Sequence, residues 1–191
     1  MKKNQEKNTQ ILKYYKGYCN FIDGGKTIAA TFNVTNTQQN HKTSSFGCTP
    51  LKSSAPFGVT TLECEKKGGT DCNYTLRMMT DKIDSRLLAR FDVGGPSHKD
   101  PNQPMKKQSV PTPHLHTYDE NGILYCYQTE ELRSMAHKDP NLPIESGFGF
   151  FCRHYNISSE DGQTTPVIVT APDGILDMDF NDIDPNENID F

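Results

Sequence analysis

Residues 86–127 constrain the fold more than any other part of the chain. They contain three of the six histidines, a loop bounded by prolines, and an Asn-Gly pair at Asn121-Gly122. Asn-Gly between two runs that alternate apolar and polar residues is typical of a β-hairpin. We therefore predict a hairpin whose arms are residues 114–119 and 123–129.

The same alternation predicts further strands on both sides of this hairpin. In the strand predicted at 86–93, Arg90 and Asp92 are two residues apart and lie on one face. Residues 59–65 and 73–80 are predicted to pair around Gly68-Gly69. The other predicted strands are 27–35, 148–157 and 166–171.

Helical spacing is confined to two segments. One is 2–16, with Gly17 as its stop signal, and the other is 130–138, with Pro140 beyond its end. Residues 36–56 are almost entirely polar and predict a long surface loop. Residues 94–113 predict a basic excursion rich in proline.

These elements predict a single β-rich α+β domain. An antiparallel sheet of about six strands with one or two helices would occupy residues 1–171, and residues 172–191 would form an acidic extension. A chain of 191 residues buries enough surface to fold without disulfides.

The expected location is cytoplasmic. No apolar run is long enough to cross a bilayer, and the polar start has no signal-peptide core. The six cysteines are then expected to be reduced and mostly buried. Cys64 and Cys72, which flank the second predicted turn, are the pair to test for a bridge or a shared metal.

A histidine cluster is the candidate site. His114 and His116 project from one face of the same predicted strand, and His98 or Asp92 would complete a three-ligand divalent metal site with one position left for water. The spacing His-x-His-x3-Glu also gives Glu120 as a ligand, in partial similarity to the cupin metal motif. The sequence requires no cofactor, and a divalent metal is the one that this cluster would accept.

Two metal-free interpretations stand beside this one. The histidines would be structural if they only hydrogen bond the adjacent loop, with Asp92 paired to Arg90. Alternatively, His114 or His116 would act as a general base and His98 as an acid, with Asp92 in the catalytic group. Phosphate would then be steadied by lysines of the basic excursion, namely Lys99, Lys106 or Lys107.

Two short signatures carry a family resemblance. F-D-V-G-G-P-S-H-K-D-P and T-P-H-L-H-T-Y-D-E-N-G resemble the core of an uncharacterised domain family found in bacterial and phage genomes, in which a Gly-Pro-x-His loop precedes a His-x-His-x-Tyr strand. The resemblance covers about residues 87–127. The chain departs from the family pattern at the turn, where Glu120-Asn121-Gly122 replaces Glu-Gly. The family resemblance implies a phage or mobile-element context and no defined activity.

The charge is unevenly distributed. All 20 Lys and Arg lie at or before Arg153, whereas nine of the 24 carboxylates follow it. In residues 173–191, acidic residues alternate with large hydrophobic ones, which is typical of a segment that folds on a basic, apolar surface. The predicted partner-binding residues are Asp177, Asp179, Phe180, Asp182 and Asp184.

Two functions follow. The first is a phage or mobile-element protein that binds a host protein with a basic surface and inhibits a nucleic-acid-handling defence enzyme, the acidic segment imitating phosphates. The alternative is a histidine- or metal-dependent nuclease or phosphodiesterase at His98, His114 and His116. A toxin–antitoxin component fits either function. Direct nucleic-acid binding and membrane association are not expected.

Overall fold

The structure is a computed structural model that describes residues 7–39, 42–67, 71–99, 109–162 and 164–170. Its helices are α1 (Thr9–Lys13), α2 (Tyr15–Asp23), α3 (Glu130–Lys138) and α4 (Ile144–His154). Its strands are β1 (Lys26–Ile28), β2 (Thr31–Gln39), β3 (Lys42–Pro50), β4 (Lys52–Ser53), β5 (Thr60–Lys67), β6 (Tyr74–Thr80), β7 (Leu87–Val93), β8 (His98–Lys99), β9 (Ser109–Val110), β10 (His114–Tyr118), β11 (Leu124–Tyr127), β12 (Ile157–Ser159) and β13 (Val167–Thr170).

One eight-stranded sheet dominates the fold, in the order β11-β10-β7-β6-β5-β3-β2-β13. Its neighbours are antiparallel except β13, which pairs parallel with β2. A small sheet, β12-β1-β4, and the two-stranded ribbon β8-β9 complete the described strands. The β-rich α+β prediction is confirmed.

One face of the large sheet is the core. Along β5 and β6, buried and half-buried residues alternate, as expected when only one face is covered. Helix α4 lies on this face, and Phe91 of β7 packs against Phe150 and Phe151 with ring centroids 5.6 and 6.2 Å apart. Burial of each such ring contributes about 2 kcal/mol.

Helix α2 covers the same sheet near its β10 end. The buried hydroxyl of Tyr18 donates to the carbonyl of Leu88 or shares a hydrogen with Thr117, and it accepts the backbone N–H of Tyr118. These bonds tie the helix to β7 and β10. Gly17 does not end a helix as predicted but lies within α2. A Cβ at this position would lie 3.3 Å from the ring of Phe57, so the absence of a side chain lets α2 approach that ring closely.

Two other sequence predictions are wrong. Residues 36–56 were predicted to be a loop, but 36–39 complete β2, 42–50 form β3 and 52–53 form β4. Ser45 and Gly47 are buried in β3, and such small inward residues conceal the apolar alternation. The strand predicted at 148–157 is largely helix α4, in which Phe148 and Phe151 are buried at helical spacing, followed by the buried Tyr155 at the C-cap.

The remaining predicted elements are found, with small shifts. Strand 27–35 is divided between β1 and β2, which belong to different sheets. Both predicted hairpins form, as β5-β6 and β10-β11, and 130–138 is α3. Cys64 and Cys72 are free thiols. No helix among the described residues is long and apolar enough to cross a membrane.

Candidate functional site

The second face of the large sheet carries the site, and strand register builds it. Residues that are partners across antiparallel strands lie on the same face. His114 is opposite Asp92 and His116 is opposite Arg90. Farther along the sheet, Asp92 is opposite Thr75. Two rows of polar side chains therefore cross the sheet, Glu65-Thr75-Asp92-His114 and Glu63-Arg77-Arg90-His116.

Asp92 is the centre of this arrangement. Its Oδ2 atom lies 3.1 Å from Nε2 of His116 and 3.5 Å from Nε2 of His114. Nη2 of Arg90 lies 2.8 Å from the same oxygen. Oδ1 accepts a hydrogen bond of 2.9 Å from the hydroxyl of Thr75. Both carboxylate oxygens are thus fixed by neighbouring strands.

The segment before β10 orients His114. Nδ1 of His114 lies 3.2 Å from the carbonyl oxygen of Pro111, and because that oxygen only accepts, Nδ1 carries the hydrogen. Nε2, on the opposite side of the ring, faces Oδ2 of Asp92. Thr112 ties this segment to the end of β7 by hydrogen bonds to the carbonyls of Asp92 and Gly94.

The protonation states follow from burial and neighbours. Burial disfavours ionisation of Asp92, yet hydrogen bonds from His114 and His116, the Arg90 guanidinium and the Thr75 hydroxyl hold the pKa of this carboxyl far below its ordinary value. Burial lowers the pKa of His116 despite its hydrogen bond to Asp92, and the charge of Arg90 lowers it further. An ionised carboxylate therefore faces a neutral imidazole at neutral pH.

A cleft of about 200 Å³ opens beside Asp92. Its cationic residues are Lys67, Arg77 and Arg90. Arg77 is already paired, since Nη2 contacts Oε2 of Glu65 and Nη1 lies 3.9 Å from Oε2 of Glu63. Arg90 is paired as well, with Asp92, so the cleft is lined by three cationic side chains of which two contact carboxylates.

Asp92, His114 and His116 form a group that could hold a metal ion, with one ligand atom from each and all three atoms within 4.8 Å of one another. Glu120 is outside this group. It is exposed in the turn after β10, beyond the strand face that carries the histidines, so the residue that joins the two histidines in this group is Asp92.

Other predicted residues lie partly or wholly outside the described part of the chain. The backbone of His98 pairs with Val110 in the β8-β9 ribbon, but its side chain is not described. Lys99 pairs with Ser109 in the same ribbon, and its side chain is not described either. Lys106 and Lys107 lie in the gap at 100–108. The predicted partner-binding residues Asp177, Asp179, Phe180, Asp182 and Asp184 all follow residue 170 and are outside the described residues.

Sequence reasoning missed Thr75, Arg77 and Lys67. The available signal was the alternation of residues 73–80, which already placed Thr75 and Arg77 on the polar face of a strand. The register of β6 against β7 brings Thr75 to Asp92, and local alternation does not predict that register.

No protein-family model, curated protein or solved structure matches this chain. The resemblance to a bacterial and phage domain family therefore stays a prediction.

Proposed function

We propose that Asp92, His114 and His116 bind a divalent metal ion of the zinc type and that the protein uses it to hydrolyse a phosphate ester. The observation that carries this proposal is the convergence of one carboxylate and two imidazole atoms within 4.8 Å. Two histidines and one carboxylate are a common catalytic ligand set, which leaves a coordination position for water or substrate.

The spacing of the ligand atoms fits a metal. Ligands about 2.0–2.1 Å from zinc at tetrahedral angles are separated by roughly 3.3–3.5 Å. Oδ2 of Asp92 lies 3.1 and 3.5 Å from the two Nε2 atoms. All three atoms lie within 4.8 Å of one another, so the two imidazoles would close to tetrahedral spacing on coordination.

The surroundings of the ligands also favour a cation. A metal-bound histidine usually donates its other ring N–H to a carbonyl or carboxylate, and the bond from Nδ1 of His114 to Pro111 provides this. Nη2 of Arg90 already lies 2.8 Å from Asp92 and 3.0 Å from Nε2 of His116, so positive charge is stable at this point. A metal ion would compete with Arg90 for Oδ2, releasing the guanidinium towards the cleft.

The geometry favours the metal over a histidine base acting alone. The side chain of His114 is 0% exposed and that of His116 is 6% exposed. A general base must lie within hydrogen-bond reach of the substrate proton. These two rings are too enclosed for that contact, whereas an ion that they hold beside the half-exposed Arg90 can reach the cleft.

Positive charge beside the ligands supports a phosphate substrate. Lys67 and Arg90 line the cleft next to Asp92 and can pair with phosphate oxygens. A divalent ion bound there would polarise the phosphoryl group and lower the pKa of a water molecule. His98 as the acid that protonates the leaving group remains a prediction.

The test is metal content and affinity of the full chain purified without a histidine tag. We expect one zinc per chain by elemental analysis, lost in Asp92→Asn and in His116→Ala. Excess zinc at 100 times its dissociation constant would stabilise the chelator-treated protein by about 2.7 kcal/mol. His137→Ala is the matched control, because His137 is exposed on α3 and outside the ligand group.

Activity is measured with bis(p-nitrophenyl) phosphate and with short RNA. Hydrolysis that is lost in Asp92→Asn and on chelation, and restored in the wild type by zinc, supports the proposal. Variants that melt like the wild type and still bind zinc would overturn the metal site. A zinc site without hydrolysis would leave the ion structural.

We propose a second function for the acidic segment, residues 172–191. Seven carboxylates and no basic residue lie in residues 173–191, interleaved with Ile, Leu, Met and Phe. Such a segment suits binding to a basic host protein, including inhibition of a defence enzyme that handles nucleic acid. It is compatible with a toxin–antitoxin role as well.

Mutations in the acidic segment and in the histidine cluster distinguish the two proposed functions. Deletion of residues 172–191, or neutralisation of Asp177, Asp179, Asp182 and Asp184, should abolish inhibition of a defence nuclease while His114→Ala leaves inhibition intact. Infection efficiency in bacteria that express each form measures this. Full inhibition by the truncated chain would overturn binding through the acidic segment.

A further inference from the structure

A second cavity, of about 370 Å³, lies among α2, the end of α4 and the β10-β11 hairpin. A cavity of this size suits a small molecule. Its most frequent lining residue is tyrosine. The tyrosines that line it are Tyr15, Tyr18, Tyr118, Tyr125, Tyr127 and Tyr155.

The charge of this cavity is negative. Among the described residues that line it there is no Lys or Arg, and Asp23 is the one carboxylate. Burial raises the pKa of Tyr15 and of Tyr127 to about 12, and burial lowers the pKa of His154. These groups are therefore neutral at pH 7, and the lining repels an anion.

Asp23 stands at an unfavourable place for helix stability. It is the last residue of α2, where the negative end of the helix dipole opposes a carboxylate. The buried ammonium of Lys26 interacts with Asp23, whose charge raises the pKa of that lysine, and so offsets part of this cost. Asp23 nevertheless lines the cavity, where its negative charge is available to a cationic ligand.

The cavity wall also offers polar contacts. The hydroxyl of Tyr127 and Nε2 of His154 are 3.0 Å apart and share a hydrogen. Tyr155 is 1% exposed, and its hydroxyl interacts with that of Tyr127. Polar atoms of these two tyrosines and of His154 therefore lie together at one wall of the cavity.

We propose that this tyrosine-lined cavity binds a small organic cation of the alkylammonium class, with the aromatic faces and Asp23 stabilising the positive charge. Aromatic rings attract such cations through the negative potential of the ring face, and the attraction increases when the site excludes water. The proposal is independent of the metal centre, since Asp92, His114 and His116 do not line this cavity.

The experiment compares choline with 3,3-dimethylbutan-1-ol, a neutral molecule of the same shape, by calorimetric titration of the full chain in the presence of a chelator. We expect choline to bind at least about tenfold more tightly than the alcohol, as a desolvated cation–π contact implies. Equal affinity of the two probes, or no choline binding at millimolar concentration, would overturn the proposal.

Two variant pairs locate the binding. Asp23→Asn should weaken choline binding several-fold, whereas Asp84→Asn, the same change at an exposed position outside the cavity, should not. Tyr125→Phe keeps the aromatic face and should bind choline like the wild type, whereas Tyr125→Leu should lose most of the affinity. Unchanged binding in Asp23→Asn and Tyr125→Leu would place the choline elsewhere.

Discussion

Nε2 of His116 on β10 and Oδ2 of Asp92 on β7 are 3.1 Å apart, although the residues are 24 positions apart in the chain. The antiparallel register that places Arg90 opposite His116 sets this contact. The contact joins an ionised carboxylate to an imidazole that burial keeps neutral. Each of the two groups consequently shifts the pKa of the other.

The imidazole of His116 should titrate below the ordinary value for histidine. Burial lowers its pKa, and Arg90 adds to this, while Asp92 raises it. In Asp92→Asn the opposing carboxylate is lost, so the pKa of His116 should fall further. Imidazole NMR titration of the wild type and the variant, with a short peptide around His116 as reference, measures both shifts. A higher pKa in the variant would contradict this account.

Asp92 should make the protein sensitive to acid. Its pKa is depressed in the folded state, so the unfolded chain takes up the proton first as the pH falls through about 4. Stability supplied by Asp92 is therefore present above that pH and lost progressively below it. Asp92→Asn should cost about 1–3 kcal/mol at pH 7 and lack this acid-dependent loss.

Urea unfolding at pH 7, 4 and 3 checks the acid dependence. The control is Asp84→Asn, which removes an exposed carboxylate. We expect the control to follow the wild type at each pH. A parallel pH dependence in Asp92→Asn and the wild type would show that the Asp92 network does not stabilise the fold.

The site was predictable from sequence to the extent that it depends on local spacing. Alternation places His114 and His116 on one face of β10, and Arg90 and Asp92 on one face of β7. The pairing of β10 with β7 decides that these faces meet, and no local pattern contains that information. The Asn-Gly turn identified the β10-β11 hairpin but ended the strand before Glu120 could join the histidines.

The errors in the fold prediction have the same physical origin. Hydrophobic alternation identifies a strand only if the inward residues are apolar, and in β3 they include Ser45 and Gly47. Helix α4 was misread because Phe148, Phe150 and Phe151 favour strands as isolated residues. Tertiary packing against Phe91 decides in favour of a helix that buries them together.

Lys26 should stabilise the junction of α2, α4 and β1. Its buried ammonium donates hydrogen bonds of 2.8 Å to the carbonyls of Ile22, Gly24 and Tyr155. Lys26→Met leaves these acceptors without that donor and should cost about 1–3 kcal/mol at pH 7. Lys52→Met on neighbouring β4 is the control, because its ion pair with Glu160 is exposed and worth at most about 1 kcal/mol.

The Lys26 contribution should also depend on pH. Burial lowers its pKa to about 8, whereas the unfolded side chain keeps its proton to about 10.5. Between these values the unfolded state binds more protons, so the stability of the wild type should rise with pH relative to Lys26→Met. Chemical denaturation of both proteins at pH 7, 8.5 and 10 measures this. A difference in unfolding free energy between the wild type and Lys26→Met that falls as the pH rises would contradict the lowered pKa of Lys26.

Gly147 should be the least replaceable residue of α4. A Cβ built at this position would lie 1.8 Å from the hydroxyl of Tyr74, which donates to the carbonyl of Leu142 at 3.2 Å. Gly147→Ala must move the helix or the buried tyrosine, at a cost of about 1–3 kcal/mol. Gly149→Ala is the matched control, because its new Cβ would lie 3.6 Å from Nη1 at the flexible end of Arg153.

The two glycine variants should change stability in opposite directions. Gly149→Ala places alanine inside the same helix without a steric conflict and should stabilise the protein by about 0.5–1 kcal/mol. Adding Tyr74→Phe to Gly147→Ala removes the closest atom and should recover part of the loss, since the ring carbon of Tyr74 would still lie 2.9 Å from the new Cβ. Thermal denaturation of the wild type and of these three variants measures the effects. Similar melting temperatures for Gly147→Ala and Gly149→Ala would show that α4 does not pack on β6 as closely as the structure has it.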